Sequence, residues 1–324
     1  MKVYVSTIPF ASGNTLPLEL LRGVNASVTI NDFGRKITTS ELAERIGDSD
    51  CLIAGTEIID ASVFDKAPNL KLIARVGIGL DGVDLIEAKK RGILVTYTPD
   101  APAPAVAELT IGLMLQLARN IGLSNQDIRN GEWNRRLGFR LSEMTIGILG
   151  TGRIGARVIR RLSAFGSPRI LVNSLERDDS IASNVKLEWV GKDYIYENSD
   201  LISFHLPLTK DTRDLVTKRE LGLMHSSCML INTSRGGIVK EDDLFWALDQ
   251  GVISQAAVDV FLDEPYCGPL RSLKNCHLTA HLGSMSHDCR SRMEIEASEE
   301  VVAFANGIAQ IRVVPDAEYQ LRRS

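Results

Sequence analysis

The sequence has no Cys-x-x-Cys pair, no excess of basic residues and no long apolar run, and each absence argues against a class of protein. Its five cysteines (Cys51, Cys228, Cys267, Cys276, Cys289) are scattered and odd in number. That speaks against a disulfide framework and against a structural zinc centre, so no metal is expected. They read instead as small buried hydrophobes in a reducing compartment. Lys and Arg number 37 against 41 Asp and Glu, a net charge of −4, so nothing in the balance favours a nucleic-acid partner. No apolar run reaches the ~18 residues that a membrane span needs. Met1-Lys2-Val3-Tyr4-Val5 enters an alternating strand pattern at once, without an apolar leader or cleavage site. The expectation is a cytoplasmic protein with no membrane partner.

What is present is a globular composition, 44% hydrophobic and 24% charged over 324 residues, a length that favours two domains. Strand-like runs at Val3–Ser6, Ser27–Ile30, Cys51–Ala54, Leu72–Ala74 and Ile93–Val95 alternate with helical spacing at Leu16–Leu21, Ser40–Ile46, Ser62–Lys66 and Leu85–Arg91. Such alternation implies right-handed crossovers and a doubly wound parallel sheet. Three prolines within Thr98–Pro104 then break the pattern. Ala105–Arg119, apolar on more than one face, reads as a buried connecting helix that could also serve as an oligomer contact. A second alternating series starts at Met144, with strands at Thr145–Leu149, Arg169–Val172, Asp200–Phe204, Met229–Asn232, Gln255–Val258 and Cys276–Leu278. A last helical stretch, about Ser286–Asn306, has no strand after it. The simplest topology returns it to the first lobe.

Gly150-Thr151-Gly152-Arg153-Ile154-Gly155 directly follows the strand run Thr145–Leu149 and opens the helical run Ile154–Phe165. Gly150 permits a tight turn, Gly152 lets a pyrophosphate approach the backbone, and Gly155 lets helix pack on strand. The helix start at Arg153 and Ile154 offers N–H groups and a positive dipole end to phosphate. This is the context in which the motif cradles a dinucleotide. The acid that commonly binds the ribose hydroxyls should close the next strand, about 20 residues on. Here that strand ends in Asn173-Ser174, and Arg177 follows. A guanidinium near an uncharged strand end suits the 2′-phosphate of NADP. Asn173 and Ser174 bonding a ribose would suit NAD equally, so the cofactor is NAD or NADP.

Four polar clusters follow further strands: His205-Leu206-Pro207-Leu208-Thr209 with Thr212, Asn232-Thr233-Ser234-Arg235-Gly236-Gly237, Asp259 to Glu264-Pro265, and His281-Leu282-Gly283-Ser284. In open α/β sheets ligands bind at the carboxyl ends of strands. Together with Arg75-Val76-Gly77-Ile78-Gly79-Leu80-Asp81-Gly82-Val83-Asp84, Ala107-Glu108-Leu109-Thr110 and Gly131-Glu132-Trp133, this ordered set resembles the D-isomer-specific 2-hydroxyacid dehydrogenase family. The phosphoglycerate dehydrogenase-like branch is the nearest part of it. The resemblance implies two α/β domains with a cleft between: a Rossmann dinucleotide-binding domain over 99–284, and a flavodoxin-like, discontinuous substrate domain over 1–98 and 285–324. It also implies a homodimer, a nicotinamide cofactor and a small 2-keto or 2-hydroxy acid substrate.

The family's catalytic trio falls on Arg235, Glu264 and His281, and the chemistry independently needs those types. A guanidinium can fork onto the substrate carboxylate and carbonyl. An imidazole can exchange the hydroxyl proton. A carboxylate bonded to the ring fixes its tautomer. The resemblance further implies that the amides of Ile78 and Gly79 meet the substrate carboxylate, and that Asp259 bonds the nicotinamide amide beside Thr233. Pro207 and Thr212 would lie near the adenine end, and His205 would line the cofactor cleft. His225, His277 and His287 read as surface or packing residues.

Two departures stand out. The phosphoglycerate branch commonly has an arginine and a small hydroxyl residue where this chain has Ala54-Gly55. That weakens phosphoglycerate as substrate, although Arg75 and Arg135 remain available for a phosphate or second carboxylate. The expectation is a chain without the regulatory domain that follows the last helix in many serine-pathway enzymes. Two other readings stay open: a dinucleotide-sensing, corepressor-like binding protein on the same fold, and an oxidoreductase on a non-acid substrate such as phosphite.

Overall fold

The computed structural model describes residues 1–182 and 187–320. They form two compact units, Met1–Pro102 with Ser284–Ser324, and Ala103–Gly283. In the first unit β1 (Lys2–Val5), β2 (Ser27–Ile30), β3 (Cys51–Ala54), β4 (Leu72–Arg75) and β5 (Leu94–Thr96) make a parallel sheet in the order β2-β1-β3-β4-β5. This is the flavodoxin-like order, with its reversal between β1 and β3. Strands β3 and β4 are buried along their whole length, which is why they read as continuous apolar runs rather than alternating ones.

Helices α1 (Leu16–Gly23), α2 (Thr39–Ile46), α3 (Ala61–Phe64) and α4 (Leu85–Lys90) connect these strands. Thr38 caps α2 with its hydroxyl on the Glu41 amide while the Glu41 carboxylate returns to the Thr38 N–H. A cap of this kind contributes about 1 kcal/mol. Thr38 is the first of three adjacent hydroxyl residues, Thr38-Thr39-Ser40. Gly92, at φ +71°, follows the end of α4 and accepts the left-handed backbone a side chain would resist.

The second unit opens with α5 (Ala103–Ala118) and α6 (Ile121–Arg129). Helix α5 begins two residues before the predicted start, because Pro104 sits in its first turn, where a missing N–H costs nothing. Then come β6 (Thr145–Leu149), α7 (Arg153–Leu162), β7 (Arg169–Asn173), β8 (Leu187–Trp189), α8 (Lys192–Asn198), β9 (Leu201–Phe204), α9 (Lys218–Leu223), β10 (Met229–Asn232), α10 (Glu241–Asp249), β11 (Gln255–Val258) and β12 (Cys276–Leu278). The strand order is β12-β11-β10-β9-β6-β7-β8, parallel throughout. That is the Rossmann order with one strand added beyond the sixth.

Two apolar layers cover this sheet. One gathers Leu149, Leu171, Ile202, Phe204 and Leu230. The other joins Ile146, Ile148, Ile170 and Ile231 to Met114 and Leu117 of α5 and Val158 and Leu162 of α7. Helix α5 is thus buried in the second unit, as its several apolar faces required.

The chain returns to the first unit in α11 (His287–Ala305) and ends in α12 (Asp316–Gln320). Val313 bridges Thr96 antiparallel at the edge of β5, and the Val314 N–H donates to Val95 O. Three elements lie outside the sequence reading: α6, α12 and β8. Strand β8 and helix α12 are short, and β8 is only partly buried, while α6 buries Asp127 and leaves Ile121 and Ile128 exposed, so none carries a strong periodic signal. Cys51, Cys228, Cys276 and Cys289 are buried, and burial pushes the first three thiols up to about 12. Cys267 is exposed, contrary to expectation, because it sits in the Pro265–Pro269 loop and not in a strand.

Candidate active site

At the β6/β9 reversal the chain leaves neighbouring strands toward opposite sides, which opens a crevice at their carboxyl ends. The glycine turn and His205 meet there. Gly150 has φ +94°, and a Cβ on it would lie 2.3 Å from His205 O. A Cβ on Gly155 would lie 2.0 Å from Gly150 O. No side chain fits at either position, so strand, turn and helix pack backbone against backbone. Gly152 differs: a Cβ there would meet nothing within 4 Å. It is the N-cap of α7 and brings no capping side chain, so the helix beginning at Arg153 and Ile154 starts at an open wall. The His205 Nε2 lies 3.0 Å from Ser203 Oγ, while its buried Nδ1 has no partner among the described residues. Desolvation pushes its pKa down to about 3, so the ring is neutral at physiological pH. These residues fit a dinucleotide pyrophosphate.

On the ribose side, Asn173 donates its side-chain amide to Val190 O at 2.8 Å, and the Thr151 N–H lies 3.4 Å from Ser174 Oγ. Arg177 is exposed, pairs with Asp179 at 2.9 Å and stacks over Trp189 at 5.7 Å. Thr212 spends its hydroxyl on folding its own loop, donating to Pro207 O at 2.6 Å and accepting from the Thr209 N–H at 2.8 Å.

The trio residues follow β10, β11 and β12, three neighbouring strands. Arg235 sits in a turn that Asn232 braces: its amide donates to Arg235 O at 2.9 Å, and its Oδ1 accepts from the Ser234 hydroxyl at 2.7 Å. A Cβ on Gly236 would lie 2.0 Å from the Phe261 carbonyl carbon, so the Arg235 turn packs directly on the chain leading to Glu264. The Phe261 N–H donates to Glu264 Oε1 at 3.2 Å. His281 Nδ1 lies 2.9 and 3.0 Å from the two Glu264 oxygens. This leaves Nε2 as the nitrogen available to a substrate.

Thr233 shares a 2.9 Å hydrogen bond with Thr110 of α5. Asp259 ties its own loop together. It is fully buried, and its carboxylate accepts from Thr279 Oγ1, the Leu282 N–H and the Gly283 N–H. Among the described residues, no group of three or more His, Cys, Asp and Glu could hold a metal.

The first unit has its own reversal, between β1 and β3, and there Glu57 fills the crevice. Glu57 accepts from the Ser6 hydroxyl and from the Gly55 N–H at 2.9 Å. A Cβ on Gly55 would lie 2.8 Å from Glu57 Oε2 and 2.9 Å from Thr7 Oγ1. Ile78 and Gly79 follow β4 in the same unit. Arg75 closes that strand, only 4% exposed, with its guanidinium 3.4 Å from Val76 O. Sequence reasoning passed over Glu57 and Thr279, since a carboxylate or hydroxyl in a loop carries no signal until the sheet order supplies its neighbour.

Fold and site together define a dinucleotide-dependent oxidoreductase, and comparison with known proteins narrows the class. Residues 111–283 match the family model described as D-isomer specific 2-hydroxyacid dehydrogenase, NAD binding domain. The chain is 38% identical over 277 residues to a glyoxylate reductase of Thermococcus litoralis, covering 82% of this chain and 83% of that one. It is 36% identical over 277 residues to a D-3-phosphoglycerate dehydrogenase of Methanocaldococcus jannaschii, covering 84% of this chain and 52% of that one. Among solved structures, a D-lactate dehydrogenase from Aquifex aeolicus complexed with NAD and lactic acid superposes with TM-score 0.84 at 26% identity, covering 95% and 96% of the two chains.

The chain belongs to the D-isomer-specific 2-hydroxyacid dehydrogenase family. It is a dehydrogenase with a nicotinamide dinucleotide cofactor, acting on the CH–OH group of a small hydroxy acid or on the corresponding keto acid. This decides for an enzyme over a dinucleotide-sensing binding protein. Among the described residues, no helix is long and apolar enough to cross a membrane.

Because Gly155 leaves no room for a Cβ, Gly155→Ala must push the turn away from its helix. We expect at least a tenfold loss of dinucleotide affinity, read by quenching of protein fluorescence on titration. Gly152→Ala, whose Cβ meets open space in the absence of ligand, should retain the fold, by circular dichroism.

Proposed function

We propose that this chain reduces a small, unphosphorylated 2-keto acid, glyoxylate or hydroxypyruvate, to the corresponding 2-hydroxy acid. The observation that carries the reading is the His281–Glu264 pair, set beside the Arg235 turn by the close approach of Gly236. A nicotinamide dinucleotide, its pyrophosphate held by the glycine turn, would supply the hydride. Arg235 forks onto the substrate carboxylate and carbonyl and holds the reacting carbon in line. His281 delivers a proton from Nε2 to the oxygen that becomes the hydroxyl, while Glu264 holds Nδ1 and with it the tautomer. The amides of Ile78 and Gly79 receive the carboxylate, Thr233 lines the nicotinamide pocket, and His205, Pro207 and Thr212 line the rest of the dinucleotide site.

Two observations support a small substrate without phosphate. The relative from Thermococcus litoralis is named for glyoxylate. Gly55 stands where the phosphoglycerate branch commonly places a polar side chain, and Thr7 and Glu57 leave no space for one. The test is a panel of glyoxylate, hydroxypyruvate and phosphohydroxypyruvate, followed by dinucleotide absorbance. Glyoxylate or hydroxypyruvate should exceed the phosphorylated acid at least tenfold in kcat/KM; a preference for the phosphorylated acid rejects the reading. His281→Ala should lose a hundredfold or more in kcat with dinucleotide affinity near normal. Lost affinity with retained kcat would mean the role was misassigned.

For the cofactor we infer that both NADH and NADPH are accepted, with Arg177 favouring the phosphate. Neither Asn173 nor Ser174 carries a charge to repel it. The exposed Arg177–Asp179 pair contributes only about 0–1 kcal/mol, less than the about 1.5–3 kcal/mol of a hydrogen bond to a charged group, so a 2′-phosphate can displace Asp179. Arg177→Ala should raise KM for NADPH at least fivefold and leave KM for NADH within twofold. An equal change in both would remove Arg177 from the site.

We also infer a homodimer. In the strip following α6, Trp133, Leu137 and Phe139 are 81%, 96% and 51% exposed. The strip is nevertheless pinned to its own unit, by Asn120 donating to Leu137 O and by Arg136 on Asp127. A groove of about 450 Å³ lined by Leu115, Arg119, Ile121 and Ser124 lies in the same unit. A second copy would cover these apolar groups. Leu137→Glu should halve the mass measured by light scattering, whereas a wild-type chain already monomeric would refute the assembly.

A further inference from the structure

Asp259 and the loop after β12 form a closed hydrogen-bonded unit around the backbone of His281. Asp259 directly follows β11, and its main chain lies against both neighbouring segments. Its N–H donates to Asn232 O at 3.0 Å, and its carbonyl accepts from the His281 N–H at 2.9 Å. Its side chain then turns along the loop. Oδ1 accepts from Thr279 Oγ1 at 2.6 Å and from the Leu282 N–H at 2.7 Å, and Oδ2 accepts from the Gly283 N–H at 3.0 Å. A carboxylate with no exposed surface needs such donors to compensate its desolvation.

The loop needs the carboxylate equally. His281 has φ +52°, a left-handed backbone that a side chain resists. Donors on both sides of it, at positions 279, 282 and 283, converge on the one carboxylate. In the stretch Thr279-Ala280-His281-Leu282-Gly283 only Thr279 contributes a side-chain donor to it. Gly283 is also hemmed in, since a Cβ there would lie 3.2 Å from Val106 of α5 and 3.4 Å from Asp259 Oδ2.

We propose that Thr279 and Asp259 act together as a clamp that holds residues 279–283 in this conformation and so aims the His281 imidazole, with Nδ1 on Glu264 and Nε2 toward the substrate. Thr279 is thus a positioning residue for proton transfer, acting through His281 by way of the Asp259 carboxylate. The proposal rests on the reading of His281 as the proton donor.

Thr279→Val keeps the β-branched shape and removes the donor, while Thr279→Ser restores the hydroxyl. The valine variant should lose tenfold or more in kcat, with the Kd for NADH and NADPH within twofold of wild type, and the serine variant should recover to within threefold. By hydrogen–deuterium exchange, the peptide carrying the Leu282 and Gly283 amides should exchange at least tenfold faster in the valine variant. Wild-type kcat and exchange in the valine variant would overturn the clamp. So would a tenfold weaker dinucleotide Kd with kcat intact, since the pair would then act on the cofactor and not through His281. Should the valine variant not fold, Thr279→Ala carries the same comparison. Failure of the His281 reading shows separately, as retained kcat in His281→Ala, so the two ideas fail on different variants.

Discussion

Backbone packed directly on backbone at the β6/β9 reversal is the constraint on which the rest of this structure depends. Gly155 lies so close to Gly150 that a Cβ would sit 2.0 Å from a carbonyl oxygen, well inside any van der Waals contact. Only that approach brings the start of α7 to the carboxyl end of β6, and only there do the helix N–H groups and dipole meet a phosphate. Gly236 repeats the device further along the sheet against Phe261 and Leu262. It sets the Arg235 turn against the Glu264 loop. The site is thus built by removing side chains where chain segments must touch, which leaves the remaining side chains short and definite paths to one another.

The two units share a topological logic and differ in what stands at the reversal. In the first, Glu57 occupies the crevice between β1 and β3 and is bonded to Ser6 and the Gly55 amide. In the second, glycines wall the crevice and Gly152 faces open space. A carboxylate held at the first reversal is a poor neighbour for a pyrophosphate, whereas an uncapped helix start at the second is a good one. Sheet order alone would have allowed either unit to take a dinucleotide. A few residues at the switch decide between them.

Much of this was legible beforehand, for particular reasons. Strands such as Cys51–Ala54 and Leu201–Phe204 are apolar or small throughout because both faces are covered, so their limits show as limits of composition. The glycine turn was legible because it is local, six residues with a strand before and a helix after. Helix α6 and strand β8 were not legible. Strand β8 is short and only partly buried, and α6 buries Asp127 while leaving Ile121 and Ile128 exposed, so no apolar stripe marks it.

The sequence by itself determined which residue types stand at the ends of which strands: the three glycines, the uncharged Asn173-Ser174 pair, and Arg235, Glu264 and His281 in order. Only the tertiary structure decided which of them meet. Glu264 and His281 are 17 residues apart and meet at 2.9 Å because β11 and β12 are neighbours in the sheet. The same adjacency brings Asp259 onto Thr279, Leu282 and Gly283. The physical reason is common to both. A buried polar group must find its hydrogen bonds among whatever the fold places next to it, and what is next to it is set by strand order, which no local pattern encodes.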